Sequence, residues 1–164
     1  LCRLYAVEHG LPTVSLRLFT VYGPRQRPDM AFQRFFEALS AGKEIVIYGY
    51  GMQSRDFTYV GDVVRAFRLT MGYVTAEEGR HVDRPAVFNV AGGARISLND
   101  LLVLLTQVTG QQVHIVRRPA QVGDVHDTWA DTSRARQYLG FVSQVRLAEG
   151  LTRQWEQVRA RVAV

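Results

Sequence analysis

At 164 residues, 47% of them hydrophobic, the chain is long enough for one globular domain that buries roughly 70% of the surface its unfolded form exposes. No apolar run approaches the ~18 residues a membrane helix needs, "LCRLYAV" at the start lacks the basic region and cleavage site of a signal peptide, and the lone Cys2 excludes an internal disulfide and fits a reducing cytoplasm. The net charge of +5 rests almost wholly on arginine, Lys43 being the single lysine, and it suits a nucleic acid, an acidic lipid surface or a phosphorylated small molecule, so the placement of the arginines decides.

In chain order, residues 1–9 read as the end of a helix that Gly10 closes. Residues 13–19, "TVSLRLF", read as a strand, stopped by a Gly-Pro turn. Asp29 is placed to cap a helix over 30–41, with Phe32, Phe35, Phe36 and Leu39 on one face and Gly42 as its stop. Residues 44–49 form a short strand, Gly49 and Gly51 bracket a turn, and 55–60 are extended. A helix follows over 62–73, with Val63, Val64, Phe67 and Met71 at helical spacing after Asp62. Residues 74–85 read as a polar loop. The near-continuous apolar strand 86–91 suits a parallel sheet covered on both faces. Ser97 caps a helix over 98–109 with Leu101, Leu102, Leu105 and Val108 inward; 113–116 is a strand and 118–124 a loop. Residues 132–139 and 146–161 are helical. In the last, Leu147, Leu151, Trp155, Val158 and Val162 form an apolar stripe, and Arg146, Arg153, Arg159 and Arg161 stay outside.

This alternation predicts an α/β fold. Its sheet edge is where anion-seeking residues belong: Arg25 and Arg27 follow the Gly-Pro turn at a strand's C-terminal end. Arg55 follows "YGYGMQS", a segment whose glycines let backbone N–H groups approach the same oxygens as the guanidinium fork. Asp56 is a ready partner for Arg55. Arg117, Arg118 and Asp124 flank the 118–124 loop, while Asp124, Asp127 and Asp131 read as turn and cap residues. Tyr22, Tyr48, Tyr50 and Tyr59 read as packing or rim residues. The four histidines lie too far apart for metal-ligand spacing, so no metal is expected. The arginines form no single stripe, which argues against nucleic acid. "GYGMQS" does not open a helix, so it fails as a dinucleotide fingerprint.

Four blocks in order, "LRLFTVYGPRQRPDMAFQRFF", "IVIYGYGMQSRDFTYVGDVVRAF", "VFNVAGG…SLNDLL" and "QVGDVHDTWAD", resemble the NAD-dependent nucleotide-sugar epimerase/dehydratase family, the extended short-chain dehydrogenases. The resemblance covers the whole chain. It implies that residues 1–164 are the C-terminal, nucleotide-sugar-binding portion of an extended Rossmann-type short-chain dehydrogenase. Its parallel strands would complete an N-terminal sheet, and the NAD-binding part and the catalytic Tyr-x-x-x-Lys would lie before Leu1. By the same resemblance Arg55 grips a diphosphate, and Val46 and Tyr48 border the base. Met30, Ala31 and Phe32 lay backbone against the nucleotide. Asp124 lies near ribose and diphosphate, and Gln121 stands where some members carry an arginine. Tyr22, Gly23 and Pro24 lie near the nicotinamide and sugar. Thr20 and Arg27 match the form found in UDP-glucuronate epimerases, where they approach the sugar carboxylate; a charge-assisted pair there is worth roughly 1.5–3 kcal/mol.

The implied reaction is 4-epimerisation of a UDP-hexose or UDP-hexuronate. A tyrosine phenolate takes the 4-OH proton, NAD takes the C4 hydride, and the 4-keto intermediate is reduced from its other face. A dTDP-linked sugar, a 4,6-dehydratase or decarboxylase branch, and a non-catalytic nucleotide-sugar-binding module are the alternatives. None of the acid/base residues falls on this chain, so no catalytic residue is assigned to it. Self-association, as a homodimer or through exposed strand edges or the Leu1–Glu8 helix, is expected.

Overall fold

The computed structural model describes residues 1–76, 86–121 and 123–162. Helix α1 (Cys2–His9) ends where Gly10 takes φ 61°, a left-handed conformation that costs glycine nothing. Strand β1 (Ser15–Leu18) and the two-residue β2 (Val21–Tyr22) lead through the Gly-Pro turn to α2 (Ala31–Ser40). Strand β3 (Ile45–Tyr48), the short β4 (Ser54–Asp56) and β5 (Thr58–Tyr59), and helix α3 (Val60–Thr75) follow. Then come β6 (Val87–Val90), β7 (Arg95–Ser97), α4 (Leu98–Thr109), β8 (Ile115–Arg118), α5 (Ser133–Leu139) and α6 (Leu147–Val162).

The strands pair two by two. β1 runs parallel to β6, from Ser15 beside Val87 to Leu18 beside Val90. β2 runs parallel to β5 and β3 to β8; β4 and β7 are antiparallel. Parallel pairing demands a long crossover, and α3 supplies it between β1 and β6. The expected α/β class is therefore what the backbone shows.

Two cores result. The larger gathers Phe32, Phe35, Phe36 and Leu39 from α2 with Ile45 and Ile47, the leucines of α4, and Leu151, Trp155 and Val158 of α6. The phenylalanine stripe of α2 and Leu147, Leu151, Trp155 and Val158 of α6 thus face inward as their spacing predicts, the side chain of Val162 lying outside what the structure describes, and Arg146, Arg153, Arg159 and Arg161 are exposed. The smaller core joins Ala66, Phe88, Val90, Ala135, Leu139 and Phe141 around the β1–β6 pair. Ser97 caps α4 as expected, its hydroxyl accepting the Asp100 N–H at 3.1 Å.

Several expectations fail. Asp29 does not cap α2; its carboxylate pairs with Arg27 at 2.9 Å, and Met30 stands at the cap position without a side-chain bond. In α3 only Val63 of the expected stripe is buried, with Asp62, Ala66 and Thr70. Val64, Phe67 and Met71 are 55%, 50% and 68% exposed. The helix is turned by Asp62, whose carboxylate accepts from the Ser143 hydroxyl at 2.9 Å and from the backbone N–H groups of Gln144 and Val145, the latter at 3.1 Å. Strand β8 starts two residues later than 113–116, in register with β3. β6 alternates half-buried and buried positions and is not covered on both faces. Of the expected loop 74–85, residues 74 and 75 belong to α3 and 77–85 lie outside the described residues.

Candidate functional site

A cavity of about 250 Å³ opens between α2, β3, the β4–β5 segment and the loop after β8. Each wall has a local cause. α2 presents Ala31, Arg34 and Phe35, one helical face, because Phe32 and Phe36 are held in the core. β3 alternates, burying Ile45 and Ile47 while Val46 and Tyr48 stay half-exposed. Beyond it, Gly51 takes φ 80°, and a Cβ there would lie 2.2 Å from Asn99 Oδ1, so only glycine lets this turn close on α4. Gln53 then donates from Nε2 to the Tyr48 carbonyl at 2.9 Å, fastening the turn to β3.

Arg55, at the centre of β4, is held on three sides. Its Nη1 donates to the carbonyls of Ser54 and His126 at 2.9 and 3.0 Å, and its Nη2 meets Asp124 Oδ1 at 2.7 Å. The expected Arg55–Asp56 pair is absent. Asp56 points the other way, fully buried, accepting the Gly93 N–H at 3.1 Å. Burial pushes its carboxyl above the usual range, against the backbone N–H groups of Gly93, Gly92 and Ala130 that oppose the shift. Residues 126–128 run beside β4, with the Ser54 N–H on the His126 carbonyl at 3.0 Å and the Thr128 N–H on the Ser54 carbonyl at 3.1 Å. The Ser54 hydroxyl donates to Asp127, whose other oxygen lies 2.8 Å from His126 Nδ1. The Ser54 hydroxyl first, then His126, pulls the Asp127 carboxyl down to about 2. Asp131 accepts the Ser133 N–H at 2.8 Å, closing a turn one residue ahead of Thr132, which stands at the cap of α5 without a side-chain bond.

The structure brings Thr20, Ala31, Val46, Tyr48, Arg55, Gln121 and Asp124 together around this cavity. Others of the expected set lie elsewhere. Arg27 is on the surface, paired with Asp29. Met30 caps α2, and the Phe32 ring packs in the core, 4.4 Å from the Phe57 ring centroid. Tyr22, Gly23 and Pro24 do not line this cavity: the Tyr22 ring is 2% exposed in the core, and the Gly23 N–H donates to Gln154 Oε1 at 3.0 Å. Arg34, Phe35, Gln53, Phe57 and Ile96 also line the cavity and were not singled out from sequence. The i, i+3, i+4 spacing from Ala31 is the signal that finds Arg34 and Phe35.

Such a cavity suits a ligand with a flat apolar portion against Val46, Tyr48 and Phe57 and an anionic portion at its arginines. The chain is similar to known proteins. A model of the NAD-dependent epimerase/dehydratase family matches residues 1–91. An uncharacterized UDP-glucose epimerase of Bacillus subtilis is 38% identical over 152 residues, 93% of this chain and 46% of that protein. The crystal structure of UDP-glucuronic acid 4-epimerase from Bacillus cereus, in complex with UDP-glucuronic acid and NAD, superposes with a TM-score of 0.84 at 32% identity, covering 98% of this chain and 49% of that one. UDP-glucose 4-epimerase of Thermotoga maritima, crystallised with UDP-glucose, gives 0.86 at 35% identity, covering 97% and 50%. The chain thus spans about half the length of the relatives it matches.

Proposed function

Because the chain belongs to the NAD-dependent epimerase/dehydratase family, we propose that its 164 residues form the nucleotide-sugar-binding portion of a 4-epimerase acting on a UDP-hexose or UDP-hexuronate. The observation that carries this reading is the cavity in which Arg55, Asp124 and Gln121 meet Val46, Tyr48 and Thr20. These residues come from four separate stretches of the chain.

In this reading Arg55 takes the diphosphate. Its guanidinium is fixed by two carbonyls, so little side-chain entropy is lost on binding. Val46 and Tyr48 border the uracil. Asp124 turns from Arg55 to the ribose hydroxyls. Thr20 lies toward the sugar. Firm hold on the nucleotide keeps a 4-keto sugar in place while its ring turns. NAD supplies the hydride exchange at C4 in the whole protein. No step through it, and no proton transfer, is assigned to this chain.

Calorimetry of the intact protein with UDP, UDP-glucose, UDP-glucuronate and a dTDP-hexose tests the reading. Binding of UDP and at least one UDP-sugar is expected. Absence of heat with every UDP- or dTDP-linked sugar sinks it.

A further inference from the structure

We propose that Arg34 is the cation that meets the ligand's diphosphate in this cavity, a role that rests on the nucleotide-sugar reading and adds a residue to it. Arg34, Arg55 and Asp124 are the fully charged side chains lining the cavity. Arg55 and Asp124 already satisfy each other at 2.7 Å, and Arg55 gives its other nitrogen to two carbonyls. That pair is electrically neutral. Left alone it would not attract an anion, and the Asp124 carboxylate would repel one. Gln121, on the same cavity, brings only a neutral amide. The net positive charge of the site therefore resides on Arg34.

Arg34 is also unspent. Its backbone N–H closes the first turn of α2 on the Met30 carbonyl at 3.0 Å, but its guanidinium makes no ion pair or hydrogen bond among the described residues. Glu37, three residues on along the helix, does not pair with it; its Oε1 accepts from Gln33 Nε2 at 2.8 Å instead. Arg34 shares a helix face with Ala31 and Phe35, both on the cavity wall, so the side chain is rooted where an anion enters. Arg34 is exposed on that wall, so its long flexible side chain is open to a ligand entering from solvent. A diphosphate arriving at Arg34 supplies the negative charge that displaces Asp124 from Arg55, after which two guanidinium groups share its oxygens.

The test measures binding of UDP, UMP and uridine to the intact protein, wild type against Arg34→Gln and against the double variant Arg34→Gln/Gln121→Arg. The expected results are a roughly 10- to 100-fold weaker UDP affinity in Arg34→Gln, an unchanged uridine affinity, and a shallower salt dependence for UDP. The double variant, which returns a cation to the same cavity, should recover most of the loss. Uridine binding also reports that the variant is folded. Wild-type binding with an unchanged UDP affinity in Arg34→Gln overturns this proposal alone. Equal losses for UDP and uridine overturn it as well, because they assign Arg34 to the base wall or the fold. No binding of any of the three by wild type overturns the nucleotide-sugar reading and this proposal together.

Discussion

At the scale of single residues, Arg55 has two tasks. It ties Asp124 and the His126 carbonyl to β4, and in the proposed function it grips the diphosphate. Arg55→Ala in the intact protein should weaken UDP binding about 10–100-fold, the loss of roughly 1.5–3 kcal/mol of charge-assisted bonding. An unchanged UDP affinity would leave Arg55 as an internal tie only. Asp127 gives a pH prediction. Its carboxyl is pulled down to about 2, by the Ser54 hydroxyl before any other cause. A depressed folded-state value means that the unfolded chain takes up the proton first as the pH falls. The stability Asp127 lends is thus present above the ordinary carboxylate pKa of about 4 and lost on the way to about 2. Asp127→Asn should lower the unfolding midpoint at neutral pH, and the gap to wild type should close by about pH 2. A gap of constant size across that range would show that the Ser54 contact does not depend on ionisation.

At the scale of elements, Asp62 joins α3 to the chain before α6. Burial pushes its carboxyl up, but the Arg65 guanidinium, the Val145 and Gln144 N–H groups and the Ser143 hydroxyl together bring it below its usual value. Asp62→Ala should cost about 2–3 kcal/mol, because it strands those donors, and urea unfolding measures it. A cost under about 0.5 kcal/mol would place this contact among ordinary surface pairs. The same residue explains why α3 misled the sequence reading. Val63–Ala66–Thr70 and Val64–Phe67–Met71 are both helical stripes, and the second is the more apolar. A polar anchor, invisible to periodicity, chose the first. α2 was legible because its four large apolar residues admit one inward face. β2 and β7 were not, since two or three residues carry no readable period, whereas β5 and most of β4 fall inside the extended 55–60. In the cavity, Arg55 stood out by its glycine-rich approach and Asp124 by its place in the polar 118–124 loop. Gln121 was reached only through the family resemblance, because a neutral amide in a loop carries no signal of its own.

At the scale of the whole molecule, the chain shows apolar surface that it does not itself cover. Leu4, Tyr5 and Val7 of α1 are half or more exposed, as are Val64, Phe67 and Met71 of α3. β1 and β6 form a pair with no third strand among the described residues, so their outer edges carry unpaired backbone groups. Residues 1–164 prepared alone should therefore self-associate, and under the proposed function they should interconvert no UDP-sugar, since this chain is assigned grip and no proton transfer. Which surface is responsible can be separated. Serine at positions 64, 67 and 71 removes the α3 stripe, and serine at positions 4 and 7 removes the α1 face; these side chains lie largely in water, so each set should shift the unfolding midpoint little. Sedimentation velocity at rising concentration then reads the outcome. If apolar burial drives association, at least one set lowers the sedimentation coefficient toward that of a monomer. If both sets leave it high, the open edges of β1 and β6 are joining backbone to backbone, which side-chain polarity barely affects. Monomeric sedimentation of the unaltered chain at high concentration would defeat the expectation outright, because exposed apolar helices and open strand edges would then coexist in water without a partner.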